Sequence, residues 1–362
     1  MEIKLLSTVK EYRLFYKRVY GNDPLFRDGK SQLLPLVCSG RSSFHRNSRQ
    51  QMVAVTDRGI TLCQCILICH NNAPHMLNIA FFEALPDQRA AVDMLLEYAE
   101  TEGHKLKCSH LAAGMEGHLN YGFGFATAGN GVPVFGESYN PPYYTGYFEN
   151  FTAVHMSGYR DDIGSVRRRV RRDFARNLID TDRYHTEPAA INNHNLRRYT
   201  DLSNAIFADH TAYFKREYRE DIELFRPMKP LLTEGNLIFL KDGAKDIGYV
   251  FWYPDFNELV SPGKALGLPE ALRFRLTGGL KSMKMVEIGV LHGYRNKGLV
   301  MLGFKTALDI VEAKYRQAQT VVSSWIIDSN LQSVYFARRY IKEKCKGFVL
   351  YEKLIEKISI RE

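Results

Sequence analysis

Glu287-Ile288-Gly289-Val290-Leu291-His292-Gly293-Tyr294-Arg295-Asn296-Lys297-Gly298-Leu299-Val300 is the stretch from which the rest of the chain is read. Val286 to Leu291 is an apolar run that predicts a strand, residues 292–298 predict a glycine-bearing turn, and a long helix is expected over Leu299 to Ala318. The first turn of such a helix leaves backbone N–H groups without partners, and its dipole favours negative charge there. Arg295 and Lys297 add positive charge at the rim, so the segment predicts a site for a pyrophosphate-like anion.

Outward from this stretch, Asn236 to Leu240 and Ile247 to Trp252 flank Lys241-Asp242-Gly243 and predict a hairpin. After the long helix, Thr320 to Ile327 is expected as a strand, Leu331 to Lys342 as a helix and Phe348 to Tyr351 as a last short strand, an α/β order. In the first half, Met52 to Cys69 broken at Asp57-Arg58-Gly59 predicts two strands joined by a tight turn, and Met76 to Ala84 a third. Val92, Leu95, Leu96 and Ala99 then follow helical spacing up to Gly103. Glycine and proline are dense from Gly114 to Gly146, which predicts loops.

Between the halves, Ile163, Val166, Val170, Phe174 and Leu178 mark one side of a helix whose other side carries Arg167, Arg168, Arg169, Arg171, Arg172 and Arg176. Such a face either solvates the helix or binds phosphate groups, and both readings stay open here. The expected division is a first domain over 1–155, a basic linker helix and connection over 156–190, and a second domain over 191–362.

The chain has 362 residues, 45% hydrophobic and 25% charged, an ordinary globular composition with room for two domains. No run of about eighteen apolar residues is present, which excludes a spanning helix. The first 21 residues lack the apolar core of a signal peptide, so a soluble cytoplasmic protein is expected. Net charge is +9, which suits an anionic ligand without choosing between a cofactor phosphate and nucleic acid. Cys63, Cys65 and Cys69 share one face of a strand beside His70, but the spacing is not that of a zinc site; buried free thiols are expected and no metal.

The segment IGVLHGYRNKGLV resembles the CoA-pyrophosphate loop of the GNAT superfamily of N-acyltransferases, whose pattern is Gln/Arg-x-x-Gly-x-Gly/Ala. Arg295 and Gly298 match its first two fixed positions, while Val300 replaces the small third residue. SSWIIDSNLQSVYFARRY (residues 323–340) is similar to the strand–loop–helix that follows in GNAT folds, with Asn330 opening the helix. ESYNPPYYTGYFENF (137–151) and FFEALPDQRAAVDMLLEYAE (81–100) resemble stretches of bacterial tandem-GNAT proteins of the YghO type, so the likeness extends over nearly the whole chain. It implies an α/β protein of two tandem GNAT-like domains, each a mixed, mainly antiparallel sheet flanked by helices. The first is expected to have lost CoA binding, because Asp87 stands where the pyrophosphate would lie.

The resemblance implies site roles by position. Glu287 matches the general base. Backbone N–H groups over Ile288 to Val290 would polarise the thioester carbonyl, and Arg295, Asn296, Lys297, Gly298, Leu299, Val300 and Asn330 would hold acetyl-CoA or another acyl-CoA. The tyrosine that many members use as the acid has Ala337 in its place; Tyr335 is the named substitute, and Tyr340 is nearby. Glu83 and the aromatic group Tyr139, Tyr143 and Tyr144, with Tyr147 and Phe148, either contact the acceptor or pack as core. The leading expectation is acyl transfer, most simply of an acetyl group, to the amine of a small molecule by direct attack, with no membrane or nucleic-acid partner and a homodimer left open. Two alternatives stand beside it: a Fem-type aminoacyltransferase using aminoacyl-tRNA, and an inactive GNAT-fold protein that binds a metabolite.

Overall fold

The computed structural model describes residues 1–129, 131–176, 179–210 and 212–356. They form two compact units. The first comprises Met1–Met156, Pro262–Ala265 and Gly347 onward; the second comprises Ser157–Ser261 and Leu266–Lys346.

The first unit opens with β1 (Glu2–Leu5) and four short helices, α1 (Val9–Leu14), α2 (Tyr16–Tyr20), α3 (Lys30–Cys38) and α4 (Ser43–Arg46). There follow β2 (Ser48–Asp57), β3 (Ile60–His70), β4 (Met76–Ala84), α5 (Arg89–Leu106), β5 (His110–Ala113) and β6 (Phe125–Ala128). The Asp57–Ile60 turn places Arg58 at φ +50° and Gly59 at φ +77°, and β2 and β3 pair antiparallel on either side of it. All nine residues of β4 are buried, so this strand lies at the centre of the unit. The helix α5 buries Ala91, Val92, Leu95, Ala99 and Gly103, close to helical spacing, which gives the unit one continuous apolar core.

The second unit takes the end of β7 (Thr152–Asp162), then α6 (Ile163–Arg176), β8 (Tyr184–Ala189), α7 (Asn193–Ile206), α8 (Tyr218–Phe225), β9 (Leu237–Asp242) and β10 (Lys245–Pro254). It continues with α9 (Leu268–Thr277), β11 (Ser282–Val290), α10 (Leu299–Lys314), β12 (Thr320–Ser323), β13 (Ile326–Ile327) and α11 (Leu331–Tyr340). The last strand, β14 (Glu343–Leu354), crosses the division: from Gly347 on it belongs to the first unit, where Tyr351 to Leu354 pair with β5.

The two sheets follow one plan. In the first, β1, β2, β3 and β4 pair antiparallel in turn, β4 pairs parallel with β5, and β5 pairs antiparallel with β14. In the second, β8, β9, β10 and β11 pair antiparallel, β11 pairs parallel with β12, and β12 pairs antiparallel with β7. Each is a mixed, mainly antiparallel sheet flanked by helices.

The division of the chain differs from cuts at 155 and 190. The helix expected as a linker, α6, is part of the second unit: Ile163, Val166 and Val170 are buried, and its Arg167 and Arg171 pair with Glu312 and Asp309 of α10. From Gly347 the described chain belongs to the first unit, because Val349, Tyr351 and Ile355 complete that core. Leu178, expected on the apolar side of α6, lies outside the described residues. The strand expected over 320–327 is broken at Ser324–Trp325 into β12 and β13.

Candidate active site

The site in the second unit is built on β11. Its pairing with β12 runs from Ser282–Thr320 to Met285–Ser323 and then stops, the Ser324 amide donating to the Met285 carbonyl at 2.8 Å. Val286 to Val290 continue as strand beyond this point, leaving a wedge on the β12 side. On its other edge, β11 faces Phe251 with Glu287 and Trp252 with Met285, so Val286 is an extra, bulged residue. The close β10–β11 approach needs Gly248, where an added Cβ would stand 2.5 Å from the Gly289 carbonyl oxygen. The backbone at Ile288 and Val290 is therefore strand in a ladder with β10, at the open edge beside β12 where an acyl carbonyl could lie.

Glu287 is half-buried, and its Oε2 accepts hydrogen bonds from the Tyr199 hydroxyl of α7 at 2.8 Å and the Tyr249 hydroxyl of β10 at 2.6 Å. Both tyrosines are buried, and burial followed by the charge of Glu287 pushes their ionisation well above the usual phenol range. They remain protonated donors across ordinary pH. The buried Arg216 guanidinium lies 5.7 Å from the Tyr199 ring and is paired with Asp221 at 3.0 Å, which fixes the floor behind Tyr199. Beside the wedge, the His210 ring lies 6.4 Å from that of Trp325, which occupies the β12–β13 break. The buried His210 Nδ1 has no hydrogen-bond partner among the described residues, and burial lowers its pKa, keeping the ring neutral near pH 7. Sequence reading missed Tyr199, Tyr249 and His210, because nothing local in the chain marks a residue that acts on a strand 38 or 88 positions away.

In the turn at 292–298, Asn296 adopts φ +63° and Gly298 φ +73°, and Gly298 begins α10 without a side-chain cap. An added Cβ at Gly293 would meet nothing within 4 Å, so that flank of the turn is open, and Asn296 and Lys297 are exposed there. The opposite flank is closed: the Ile179 side chain stands 3.1 Å from where a Gly298 Cβ would be, and Val300 and Ile179 pack on the same apolar cluster as Leu299 and Leu302. Arg295 is partly engaged, donating to the Ile206 carbonyl at the end of α7 at 3.3 Å. Lys297, over the Tyr294 ring at 5.1 Å, is the exposed cation of the turn. The residues present fit a phosphate on the Gly293–Lys297 flank through charge and helix-end amides.

The other expected site residues sit elsewhere. The Asn330 side chain caps α11 by accepting from the Ser333 amide at 3.2 Å. Tyr335 is 65% exposed, with its hydroxyl 3.2 Å from Arg339, whereas Ala337 is buried; Tyr340 is buried with its hydroxyl on the Met301 sulfur. Tyr335 therefore stands with Arg339 on the outer face of α11, and the structure does not bring it to Glu287.

In the first unit, Glu83 and Tyr144 have no exposure, which corrects the expectation that they touch an acceptor: no ligand atom reaches a side chain without accessible surface. Glu83 accepts from Tyr20 and Tyr144 at 2.7 Å each and from Lys30 at 2.9 Å. Burial raises its pKa, with Lys30, Tyr144 and Tyr20 opposing. Tyr143 and Tyr147 donate to the carbonyls of Ala84 and Leu85, so the NPPYY segment seals the end of β4. Tyr139 donates to Asp23 and stacks at a tilt on Tyr20 and Phe26. The β4–β5 pairing also ends early, at Ile79–Ala113, but the amide of Phe81 in that wedge donates to the Glu116 carboxylate. Cys63 and Cys65 are buried, and the described residues contain no group of three or more side chains that could hold a metal.

No protein-family model and no curated protein matches the chain. Solved structures do. A tandem GNAT protein from the clavulanic acid biosynthesis pathway superposes with a TM-score of 0.56 at 10% identity, covering 98% of this chain and 99% of the other. The glucosamine N-acetyltransferase region of a fungal multi-domain GH3 β-N-acetylglucosaminidase gives 0.59 at 10% identity, over 97% of this chain and 38% of that longer one. A probable N-acyltransferase from Enterococcus faecalis V583 gives 0.54 at 8% identity, over 98% and 73%. No described helix is long and apolar enough to cross a membrane. Two units on one sheet plan, each with a wedge beside its parallel strand pair, make up the tandem GNAT fold, and this chain has that fold.

Proposed function

We propose that the second unit is an acyl-CoA-dependent N-acyltransferase acting on the amine of a small molecule. The observation that carries this reading is Glu287 on the open, bulged segment of β11, held by Tyr199 and Tyr249. Acyl-CoA supplies the activated acyl group. The turn holds its phosphates through Lys297, Asn296 and the first amides of α10, while backbone N–H groups of residues 288–290 take the developing negative charge on the acyl oxygen. Glu287, directly or through one water, removes a proton from the acceptor amine. The departing thiolate is a tolerable leaving group with a free pKa of about 8.5, so an acid in the place of Ala337 is not required.

The test has two parts. Acetyl-CoA is expected to raise the melting temperature, and turnover with a panel of amines is expected to be lost in Glu287→Gln with folding intact. Absence of any shift with millimolar CoA derivatives overturns the reading. The aminoacyl-tRNA alternative is favoured by one observation, the hydrocarbon of Ile179 and Val300 on one flank of the turn. It requires salt-dependent tRNA binding by the purified chain.

A further inference from the structure

The arginines of α6 divide into two groups. Arg167 and Arg171 face α10, where Glu312 and Asp309 neutralise them. Ser165, Arg168, Arg169 and Arg172 recur at helical spacing on another stripe and line a cavity of about 460 Å³ with Arg339 and Lys342 from the end of α11. Every lining residue but Ser165 is cationic.

The carboxylates in reach orient these groups without cancelling them. Asp161 pairs with Arg169, which also donates to the Tyr340 carbonyl at 2.7 Å. Asp173, buried under the stripe, is shared by Arg172 at 3.1 Å and Arg339 at 2.8 Å. Five cations against Asp161, Asp173 and Asp162, which lies beside Arg168 at the near end of α6 and accepts from the Ser165 amide, leave a formal +2. Arg168 bonds Ser165 at 2.8 Å and is otherwise exposed, and Lys342 is exposed too. Lys342 adopts φ +70°, a left-handed position at a helix end where glycine is the usual residue.

We propose that this cavity is a binding site for a small molecule carrying two or more phosphate groups, separate from the turn at Gly298. Concentrated charge selects a multiply charged ligand, and guanidinium groups match phosphate oxygens bidentately. None of the lining residues is aromatic, and the exposed ring nearby is Tyr335, bonded to Arg339; a compact phosphorylated metabolite is the ligand class proposed, with a nucleic-acid strand as the alternative the test separates.

The experiment is calorimetric titration of the full chain, at low salt, with orthophosphate, pyrophosphate and tripolyphosphate. Affinity is expected to rise with phosphate number and to fall on adding salt. Arg168→Gln with Lys342→Gln leaves Asp161 and Asp173 paired and so should fold normally. It is expected to weaken tripolyphosphate roughly tenfold or more, with acetyl-CoA binding unchanged. Lys105→Glu, on the first unit, should leave both unchanged. No saturable tripolyphosphate binding, or equal binding by the double variant, overturns the proposal. Equal loss of acetyl-CoA binding in that variant would make the cavity part of the CoA site, and short single-stranded RNA binding more tightly than tripolyphosphate would replace the ligand class. Loss of acetyl-CoA binding to the unaltered chain with tripolyphosphate binding retained would contradict the acyltransferase reading alone.

Discussion

Glu83 and Glu287 occupy the same kind of place in the two units but stand in different surroundings. Each lies on the central strand just past the point where its parallel neighbour stops, and each accepts hydrogen bonds from two tyrosine hydroxyls. Counted from the last parallel pair, Glu83 is four residues on from Ile79 and Glu287 two on from Met285. Glu83 is sealed in with Lys30, and Glu116 takes the Phe81 amide in the wedge. Glu287 stays partly accessible with the wedge beside it. A buried carboxylate with a fixed counter-charge suits a structural group, whereas an accessible one beside an open wedge suits the base proposed above.

Exchange at these two positions should separate the roles. Glu83→Gln is expected to destabilise the chain by about 1–3 kcal/mol, because the charged acceptor shared by Lys30, Tyr20 and Tyr144 becomes neutral while Lys30 keeps Glu116 at 3.5 Å. Glu287→Gln should leave the melting temperature nearly unchanged and lower turnover roughly 100-fold or more. Urea unfolding and steady-state rates on the same two proteins check both; similar stability losses in the two variants would erase the distinction.

Lys30→Met sharpens the comparison through pH. Burial already raises the pKa of Glu83, and Lys30 is the leading influence holding it down. Without Lys30 the folded state keeps a proton on Glu83 where the unfolded chain has lost it, so the variant's stability should fall as pH rises from about 5 to 7. Stability that is flat over that window would show that Glu83 does not depend on Lys30.

Smaller effects are expected around Glu287. Tyr249→Phe removes one of its two donors and should lower kcat roughly tenfold with KM for acetyl-CoA nearly unchanged. An unchanged kcat would detach Tyr249 from the role proposed for Glu287. His210 should add a modest term: its folded pKa is lowered, so the stability it contributes is full above about pH 6.5 and is lost as pH falls below that value. His210→Phe should flatten the melting-temperature decline between pH 7 and 5.5 by a degree or two.

Much of this architecture is legible in the chain. The strands at 48–57, 60–70 and 76–84, the second half of the one at 282–290 and the helices at 89–106 and 299–314 announce themselves through apolar runs or helical spacing that meet a core. Glu287 and the Gly298 turn could be placed for the same reason. The assignment of β14 could not, because a short apolar strand carries no mark of which sheet it completes. Glu83 and the tyrosines at 143, 144 and 147 were legible as a cluster whose place, core or cleft, stayed open, since a tyrosine capping a buried carbonyl has the same sequence as one lining a cleft. The arginines of α6 look alike in sequence, and only the positions of Asp309, Glu312, Asp161 and Asp173 separate the neutralised from the available.

The difference between the two units is tested most directly by a crystal structure with acetyl-CoA bound. The expected result is one molecule per chain, its phosphates on the Gly293–Lys297 flank of the turn and its thioester beside residues 286–290 of β11. A molecule lying along β4 with Glu116 displaced from the Phe81 amide, or an empty β11 wedge at saturating acetyl-CoA, would contradict the assignment of the chemistry to Glu287.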